Sequence, residues 1–356
     1  MFTTSKIKSI KPLGIKLVCD ISVKDNESYV GNGIVNHNSS TNPNLQNIPR
    51  TTTNPDIKRA FVPPPGHVIL EVDYSQAELR IVAELAKDKA MIEIFAKNYN
   101  IHVATACKVY HALDRYEEIK KIIKIGENME PADLVKPENK DFLFWVKAKK
   151  KAKTINFGIL YGQGADKLAE GMEVSLEEAK KFIKEWGNAY PQVMQWIKHQ
   201  QQYAHKHGYV YNIFGRKRRL PEAMLTETEA KNLGRGWMRA EALRQSVNAP
   251  IQGGSSDICQ LAAIEVYHER KQGKLPYYMR QLYTVHDSLG YMIRVEDIHD
   301  VVPKIIKVCS NPNIEKWFGF KLHHVDMKVS PEIGIHWADL GEYQKEINYT
   351  TLKLIN

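Results

Sequence analysis

The stretch Asp73-Tyr-Ser-Gln-Ala-Glu-Leu-Arg80 places a carboxylate at the end of an apolar run. That run, residues 66–73, is rich in β-branched and aliphatic side chains, and the polar residues after it end the pattern. The pattern predicts a buried strand that stops at Asp73. A side chain at a strand end is held in a fixed position, so Asp73 is a candidate catalytic residue.

A second carboxylate, Asp287, lies far along the chain in Tyr283-Thr-Val-His-Asp-Ser288. Residues 282–287 and 289–295 are predicted to form two strands around a tight turn at 286–288. If the fold brought both carboxylates together, they would repel by about 4 kcal/mol at 4 Å and an effective dielectric near 20. Two Mg²⁺ ions would remove that repulsion and support in-line phosphoryl transfer. Taken alone, either aspartate is better explained as a solvated turn residue.

Residues 149–162, between the two aspartates, have helical spacing and contain no proline. Lys149, Lys153, Phe157 and Tyr161 recur every fourth residue, so they share one helix face. Two cations followed by two rings suit a nucleoside triphosphate, since lysines contact phosphates and rings stack on a base. A solvated lysine run beside two core aromatics explains this helix equally well.

Taken together, these stretches resemble the DNA polymerase I family (family A) of bacteria and phages, over residues 39 to about 340. The matching blocks occur in the family's order, which is far more specific than any one motif. They are Pro43–Pro49, Arg59–Phe61, motif A at Asp73–Arg80, motif B at Lys153–Gly162, Arg244–Gly253, motif C at Val285–Asp287, and Gly334–Trp337. The resemblance implies an α+β right-hand polymerase with an antiparallel palm sheet and helical fingers.

The resemblance also implies a role for each matching residue. Asp73 and Asp287, with the backbone carbonyl of Tyr74, would bind two Mg²⁺ ions. Catalysis would use Asp73, Asp287 and Lys153. Nucleotide binding would use Gln76, Glu78, Lys149, Lys153, Phe157 and Tyr161, with Glu78 excluding a 2′-hydroxyl and Tyr161 closing over the insertion site. DNA binding would use Arg244, Asn248, Gln252 and His286, the first three reaching the minor groove, where correct pairs present similar acceptors.

The chain departs from the family pattern at two positions. Lys149 stands where the family usually has arginine, so a point charge replaces a bidentate fork for phosphate. Lys150 or Lys151 could supply that contact instead. Ser288 stands where motif C commonly has glutamate, which removes a negative charge but keeps a group that can hydrogen-bond to water.

The first 38 residues resemble the C-terminal end of an intein rather than a polymerase. Two hydrophobic strands and a glycine turn precede His37, Asn38 and Ser39. In such a junction Asn38 cyclises and cleaves its own peptide bond, His37 assists, and the Ser39 hydroxyl receives the upstream chain. The alternative is an ordinary N-terminal β-hairpin with an Asn-Gly turn.

Because a start methionine precedes only this short piece, we expect the intein to be split. A separate partner would then carry the N-terminal half of the polymerase, fused to the N-terminal intein fragment. The expected organisation is an intein fragment at 1–38, palm at 39–80, fingers at 81–235, and palm with the C-terminus at 236–356. The charged segment 114–141 is expected to be either an elaboration of the fingers or a mobile loop.

Composition is compatible with these expectations. The chain of 356 residues has a formal net charge of +9, which suits a polyanionic partner, and 43% hydrophobic residues, enough for more than one core. The four cysteines show no paired spacing, so neither disulfides nor a zinc site is indicated. No apolar stretch could span a bilayer, and no signal peptide is present, so we expect no membrane partner and a location in the cytoplasm of a bacterial or phage-infected cell.

The predicted reaction is template-directed addition of dNTPs to a primer 3′ end on primer–template DNA. Two other functions stay open from the residues alone. One is a non-catalytic nucleic-acid-binding subunit, and the other is splicing as the only activity of the isolated chain.

Overall fold

A computed structural model of the chain describes residues 28–31, 34–37, 58–347 and 349. The predicted intein residues Asn38 and Ser39, and the first predicted intein strand, lie outside the described residues. Helices are α1 Ala77–Ala86, α2 Lys89–Ala96, α3 Ile101–Val109, α4 Tyr116–Glu127, α5 Pro131–Leu134, α6 Lys140–Leu160, α7 Ala165–Met172, α8 Leu176–Ala189, α9 Pro191–His207, α10 Glu227–Asn232, α11 Gly236–Lys271, α12 Ile298–Ser310 and α13 Ile314–Phe318. Strands are β1 Ser28–Gly31, β2 Ile34–His37, β3 His67–Tyr74, β4 Tyr209–Tyr211, β5 Lys217–Arg219, β6 Arg280–Val285, β7 Ser288–Arg294, β8 Val329–Gly334 and β9 Gly341–Glu342.

The chain divides into two compact units. Of the described residues, unit one contains those up to 73, residues 263–306 and those from 330 onward, and unit two contains residues 74–262 and 307–329. The predicted α+β class is confirmed, because a mixed set of helices accompanies a five-stranded sheet of order β6-β7-β3-β8-β9. In this sheet β3 pairs antiparallel with β7, β6 with β7, and β8 with β9.

The central strand of unit one is β3, which confirms the strand predicted at residues 66–73. Val68, Leu70 and Val72 are fully buried in it. Such an apolar strand is stable only with both faces covered, which explains its central position. The predicted hairpin is also confirmed as β6 and β7, although Ser288 begins β7 and the turn is reduced to His286 and Asp287.

Unit two is built mainly of helices around a core shared by α1–α4 and α6–α9. The helix predicted at 149–162 is confirmed, and it begins nine residues earlier, at Lys140. Trp145, Ala148, Ala152 and Ile155 bury one side of it. This side anchors the helix, while Lys153 is exposed on another face.

The segment 114–141 forms α4, α5 and two short 3₁₀ turns, so the alternative of a mobile loop is wrong. Tyr116, Ile119 and Ile123 are buried on one side of α4 and join the core of unit two. Their spacing is helical, and the many charges between them occupy the solvent side.

At the N-terminus, β1 and β2 form an antiparallel hairpin with Ser28 opposite His37. Both an intein end and an ordinary hairpin contain this element, so it does not distinguish the two. In the described part of the chain, no helix is long and apolar enough to cross a membrane.

Candidate active site

In unit one the ends of β3 and β7 bring Asp73 and Asp287 into one neighbourhood. Asp73 lies opposite Ser288 in the β3–β7 register, and Asp287 directly precedes Ser288 in the turn. The Ser288 hydroxyl donates a hydrogen bond to Asp73 Oδ1 at 3.0 Å. The serine at the unusual motif C position therefore orients one of the two predicted metal ligands.

The electrostatics of Asp73 are those of a crowded carboxylate. Burial, and next the negative charge of Asp287, raise its pKa from 3.8 to about 6, while the hydrogen bond from Ser288 acts in the opposite direction. A cation between the carboxylates would reverse this shift.

The donor set fits Mg²⁺, which is typically held by one or two carboxylates and completes its shell with water and substrate phosphates. Within the described residues no group of three or more His, Cys, Asp or Glu side chains forms a closed metal cage.

The two-residue turn that carries Asp287 is strained. His286, the first residue of this two-residue turn, has φ 55°, a left-handed backbone angle that favours glycine. Glycine normally occupies the first position of such a turn because a side chain is disfavoured there. The histidine at this position is the residue predicted to support the primer terminus, and strain of this kind is concentrated at functional sites.

Glu71 is a site neighbour that the sequence did not indicate. It lies two residues before Asp73, on the same face of β3. Its Oε2 accepts hydrogen bonds from the Tyr283 hydroxyl and from Trp337 Nε1, each at 2.7 Å. Tyr283 lies over Gly290, where a Cβ atom would come within 2.2 Å of the ring. These contacts hold β6, β7 and the C-terminal segment together beside the aspartates.

In unit two the lysines of α6 have different partners. Lys149 donates to both carboxylate oxygens of Glu127 at 2.7 and 2.9 Å. Lys150 pairs with Glu173 at 3.2 Å, and Lys151 lies 5.6 Å from the centre of the Phe182 ring. Lys153 is exposed and makes no ion pair with the described carboxylates. Of these four cations, Lys153 is thus the best placed to receive a phosphate.

The aromatic end of the same helix is joined to α1. The Tyr161 hydroxyl donates to Glu78 Oε2 at 2.6 Å, and the rings of Phe157 and Tyr161 lie 5.9 Å apart. Gly162 follows with φ 66°, and a Cβ atom there would lie 2.6 Å from the side chain of Arg244. Glycine is therefore required, because it permits both the backbone angle and the close approach of Arg244.

The turn after β3 is fixed from several sides. The Tyr74 hydroxyl donates to the Cys309 carbonyl at 2.7 Å. Gln76 has φ 57°, and its Oε1 accepts from the backbone of Ile101 at 3.5 Å. Buried Arg80 donates to the Ser75 carbonyl at 3.0 Å and to the Asp326 carbonyl at 2.8 Å. The motif A arginine therefore has a structural role in holding this turn.

A buried polar network behind α6 was also missed by the sequence reasoning. Asn156 is fully buried, and its Oδ1 accepts from Trp186 Nε1 at 2.7 Å, while its Nδ2 lies 3.0 Å from His102 Nδ1. Because the Trp186 nitrogen can only donate, the amide of Asn156 must present its NH₂ group to His102. His102 Nδ1 is then the acceptor, and the proton of the neutral ring is on Nε2. The polar Asn156 on the apolar side of the predicted helix was the available signal.

The residues predicted to read the minor groove share one face of α11. Arg244, Asn248 and Gln252 follow one another at intervals of four residues. Arg244 Nε donates to Glu241 at 3.0 Å. The Asn248 Oδ1 atom is buried and accepts no hydrogen bond from the described residues. A buried acceptor without a donor is costly, so Asn248 is suited to a ligand that supplies one.

Comparison with known proteins identifies relatives for most of the chain. The model of "DNA polymerase family A" matches residues 36–122 and 145–339. The interruption falls on the second half of α4 and on α5. DNA polymerase I of Caldicellulosiruptor bescii is 34% identical over 302 residues, which are 85% of this chain and 30% of that protein. The thermostable DNA polymerase I of Thermus aquaticus is 32% identical over 252 residues, which are 70% of this chain and 26% of that protein.

The fold has a solved counterpart, the POL domain of Pol1 from M. smegmatis in complex with a DNA primer-template and dNTP. The similarity has a TM-score of 0.65 and 29% sequence identity, and covers 84% of this chain and 45% of that chain. The chain spans about 30% of the length of the first curated relatives it matches.

Proposed function

Because the chain belongs to DNA polymerase family A, we propose that it is the palm-and-fingers part of a DNA-directed DNA polymerase. The reaction is attack of a primer 3′-hydroxyl on the α-phosphate of a dNTP, with release of pyrophosphate. The observation that carries this proposal is the pair of aspartates at the ends of β3 and β7, held by a hydrogen bond from Ser288 at 3.0 Å. The partners are primer–template DNA and dNTPs, as in the solved relative.

Each residue then has a separate task. Asp73, Asp287 and the Tyr74 carbonyl would hold two Mg²⁺ ions, which would supply activation of the attacking oxygen and charge stabilisation at the leaving group. Lys153 contacts the triphosphate, Phe157 packs against the incoming sugar and base, and Tyr161 covers the insertion position. Arg244, Asn248 and Gln252 contact the minor-groove edge, and His286 supports the primer terminus.

Contacts within unit two support the roles proposed for the remaining nucleotide-binding residues. Glu78, held by the Tyr161 hydroxyl, excludes a 2′-hydroxyl from the sugar position. Gln76 and Lys149 complete the nucleotide-binding set. Lys149 must exchange its ion pair with Glu127 for a phosphate in order to act, which makes Lys153 the stronger contact.

We also propose that residues 1–38 are an intein fragment that joins this chain to the N-terminal half of the polymerase. The support is that the family match begins at residue 36, next to the His37-Asn38-Ser39 junction. Palm is then 39–80 and 236–356, and fingers 81–235. We further propose that the segment 114–141 is an elaboration of the fingers, and the support is that the family match is interrupted between residues 122 and 145.

Primer extension tests the polymerase proposal. In the enzyme assembled with its N-terminal half, Asp73→Ala and Asp287→Ala should each reduce extension of a labelled primer by about a hundredfold to a thousandfold or more, the scale of loss when a group that stabilises the transition state is removed. Duplex binding should stay within about twofold, because phosphate contacts rather than the metal ligands hold DNA.

The matched control is Asp300→Ala, which removes an exposed aspartate paired with Lys304 on α12. It should extend primers at the wild-type rate. Normal extension by either Asp73→Ala or Asp287→Ala would refute the assigned catalytic pair. Loss of extension together with loss of duplex binding would instead indicate a non-catalytic DNA-binding role for these residues.

A further inference from the structure

One face of the β4–β5 hairpin in unit two combines exposed rings with cations. In the antiparallel register Tyr209 lies opposite Arg219, and Tyr211 lies opposite Lys217. Because side chains alternate along a strand, these four residues share one face of the hairpin. Val210, between the tyrosines, points the other way and is 1% exposed. The buried valine therefore anchors the hairpin and leaves the aromatic and basic face in solvent.

The rings on this face are ordered by direct contacts. Tyr209 and Tyr211 have ring centres 5.2 Å apart at 72°. The Lys217 ammonium lies 4.2 Å from the centre of the Tyr209 ring and 5.4 Å from that of Tyr211. These are cation–π distances, so the lysine positions both rings while its charge stays accessible.

The C-terminal end of α9 adds two more rings beside Tyr209. Tyr203 has its ring centre 5.8 Å from that of Tyr209, and His207 lies 4.4 Å from Tyr203 and 6.0 Å from Tyr209. We call Tyr203, His207, Tyr209 and Tyr211, together with Lys217 and Arg219, the aromatic platform. Tyr211 is 42% exposed, so its ring is accessible to a ligand.

The charge around the aromatic platform is of one sign. Residues 203–219 contain no aspartate or glutamate, but they contain two lysines and three arginines. Arg216 is neutralised by Asp257 at 2.9 Å, and Arg218 donates to Gln245 at 2.9 Å on α11. Among the described residues, no carboxylate pairs with Lys217 or Arg219. The cations on the exposed face are thus the ones left for an outside anion.

We propose that the aromatic platform is a binding site for single-stranded nucleic acid. Bases stack on Tyr211 and its neighbouring rings, and Lys217 and Arg219 contact the backbone phosphates. Rings interleaved with cations are the arrangement by which proteins hold single strands without reading sequence. A duplex cannot use it, because its bases are already stacked on one another.

Fluorescence anisotropy with labelled dT₁₂ and the full chain tests the proposal. Tyr211→Ala should weaken binding of dT₁₂ by about fivefold or more, the loss expected for one stacked base. Tyr211→Phe should bind within about twofold of the wild type, since the ring remains. The matched control is Tyr277→Ala, which removes a tyrosine that is 80% exposed outside the platform and should change nothing.

The salt dependence of dT₁₂ binding distinguishes the contribution of the charges from that of the rings. Lys217→Ala should lower the slope of log K against log salt by about 0.7, which corresponds to one phosphate contact on a single strand. Lys217→Arg should restore the slope. Circular dichroism and thermal unfolding of each variant verify that the hairpin has not unfolded.

The proposal is overturned if Tyr211→Ala binds dT₁₂ like the wild type, or if Tyr211→Phe is as weak as Tyr211→Ala. It is also overturned if Tyr211→Ala weakens binding of a 12-base-pair blunt duplex as much as it weakens binding of dT₁₂, since that would indicate general DNA binding. None of these measurements requires dNTP incorporation. If the enzyme joined to its N-terminal half fails to extend primers while this chain shows the Tyr211 effect, the polymerase proposal is refuted and this site stands.

Discussion

His102 is buried beside two lysines and is held by an amide, so its ring has to stay neutral. Burial, followed by the charges of Lys153 and Lys149, lowers its pKa from 6.5 to about 4. Asn156 donates to Nδ1, which a protonated ring could not accept. The geometry and the charge of the site therefore favour the same state, with the proton on Nε2.

This neutral histidine predicts that stability depends on pH. Between pH 6.5 and 4 the unfolded chain takes up a proton at this position and the folded chain does not, so stability falls as the pH falls. The loss between pH 7 and pH 5 should be about 2 kcal/mol from this residue. Urea unfolding at pH 7 and pH 5 measures this loss in the wild type and in His102→Asn. The asparagine oxygen can accept the same hydrogen bond but does not titrate. Identical losses in both proteins over this pH range would show that His102 is not the titrating group.

The hydrogen bond between Tyr161 and Glu78 predicts how the sugar of the nucleotide is selected. If Glu78 excludes a 2′-hydroxyl, Glu78→Ala should raise the ratio of kcat/KM for ribonucleotides over deoxynucleotides by at least about tenfold, a loss of about 1.4 kcal/mol of discrimination. Tyr161→Phe should give a smaller change in the same direction, because it removes the donor that orients the carboxylate at 2.6 Å.

A matched control is Glu93→Ala, since Glu93 pairs with Lys97 on the exposed side of α2. In Glu93→Ala, the ratio of kcat/KM for ribonucleotides over deoxynucleotides should equal that of the wild type. An unchanged ratio in Glu78→Ala would mean that another residue excludes the 2′-hydroxyl.

A single side chain, Asp88, joins two helices of unit two. Its Oδ1 accepts from the backbone of Met91 at 3.0 Å at the start of α2, and its Oδ2 accepts from Gln192 at 3.1 Å and Val193 at 3.4 Å at the start of α9. Asp88 is fully buried. Both helix N-termini carry partial positive charge, so one carboxylate stabilises two ends that are distant in sequence.

Removing this shared N-cap should lower the free energy of unfolding more than removing an N-cap that serves one helix. Asp88→Ala leaves three buried N–H groups without acceptors and should lower the free energy of unfolding by about 2–4 kcal/mol. Ser175→Ala, which removes the exposed N-cap of α8, should cost about 1 kcal/mol. Urea unfolding at constant pH compares the two. Equal costs would mean that α9 does not depend on Asp88.

The elements that could be predicted from sequence are those with a regular local pattern. Strand β3, the β6–β7 hairpin and the C-terminal half of α6 were of this kind. The pattern of α4 was obscured because charges surround Tyr116, Ile119 and Ile123 in the sequence. The partner of Lys149 was not predictable, because Glu127 belongs to α4 and reaches Lys149 only through tertiary packing. The second role of Asp88 was not predictable either, because the helix it caps begins more than a hundred residues later.

Unit one shows why the catalytic pair required more than local reasoning. Its described residues come from three separate segments, and Asp73 and Asp287 lie on two of them. Strand pairing sets their proximity, and pairing between distant strands leaves no mark in either strand's own sequence. The family resemblance supplied that information. The roles assigned to the individual site residues stay predictions until variants are assayed.

The splicing proposal predicts what the chain becomes when it meets its partner. Mixing with the N-terminal polymerase half should yield one ligated polypeptide that continues into Ser39, and a freed peptide that ends at Asn38. No ATP or protease is required, because each broken bond is exchanged through an ester or a succinimide. Mass spectrometry of the mixture detects both products.

Two variants separate the steps. Asn38→Ala cannot cyclise, so it should stall as a branched intermediate that keeps residues 1–38. Ser39→Ala has no hydroxyl to receive the upstream chain, so ligation should not occur. Asp73→Ala should splice like the wild type, because the two reactions share no residue. A chain that retains residues 1–38 after long incubation with the folded partner would favour an ordinary β-hairpin, in agreement with β1 and β2 alone. The polymerase proposal would then stand without the joining step.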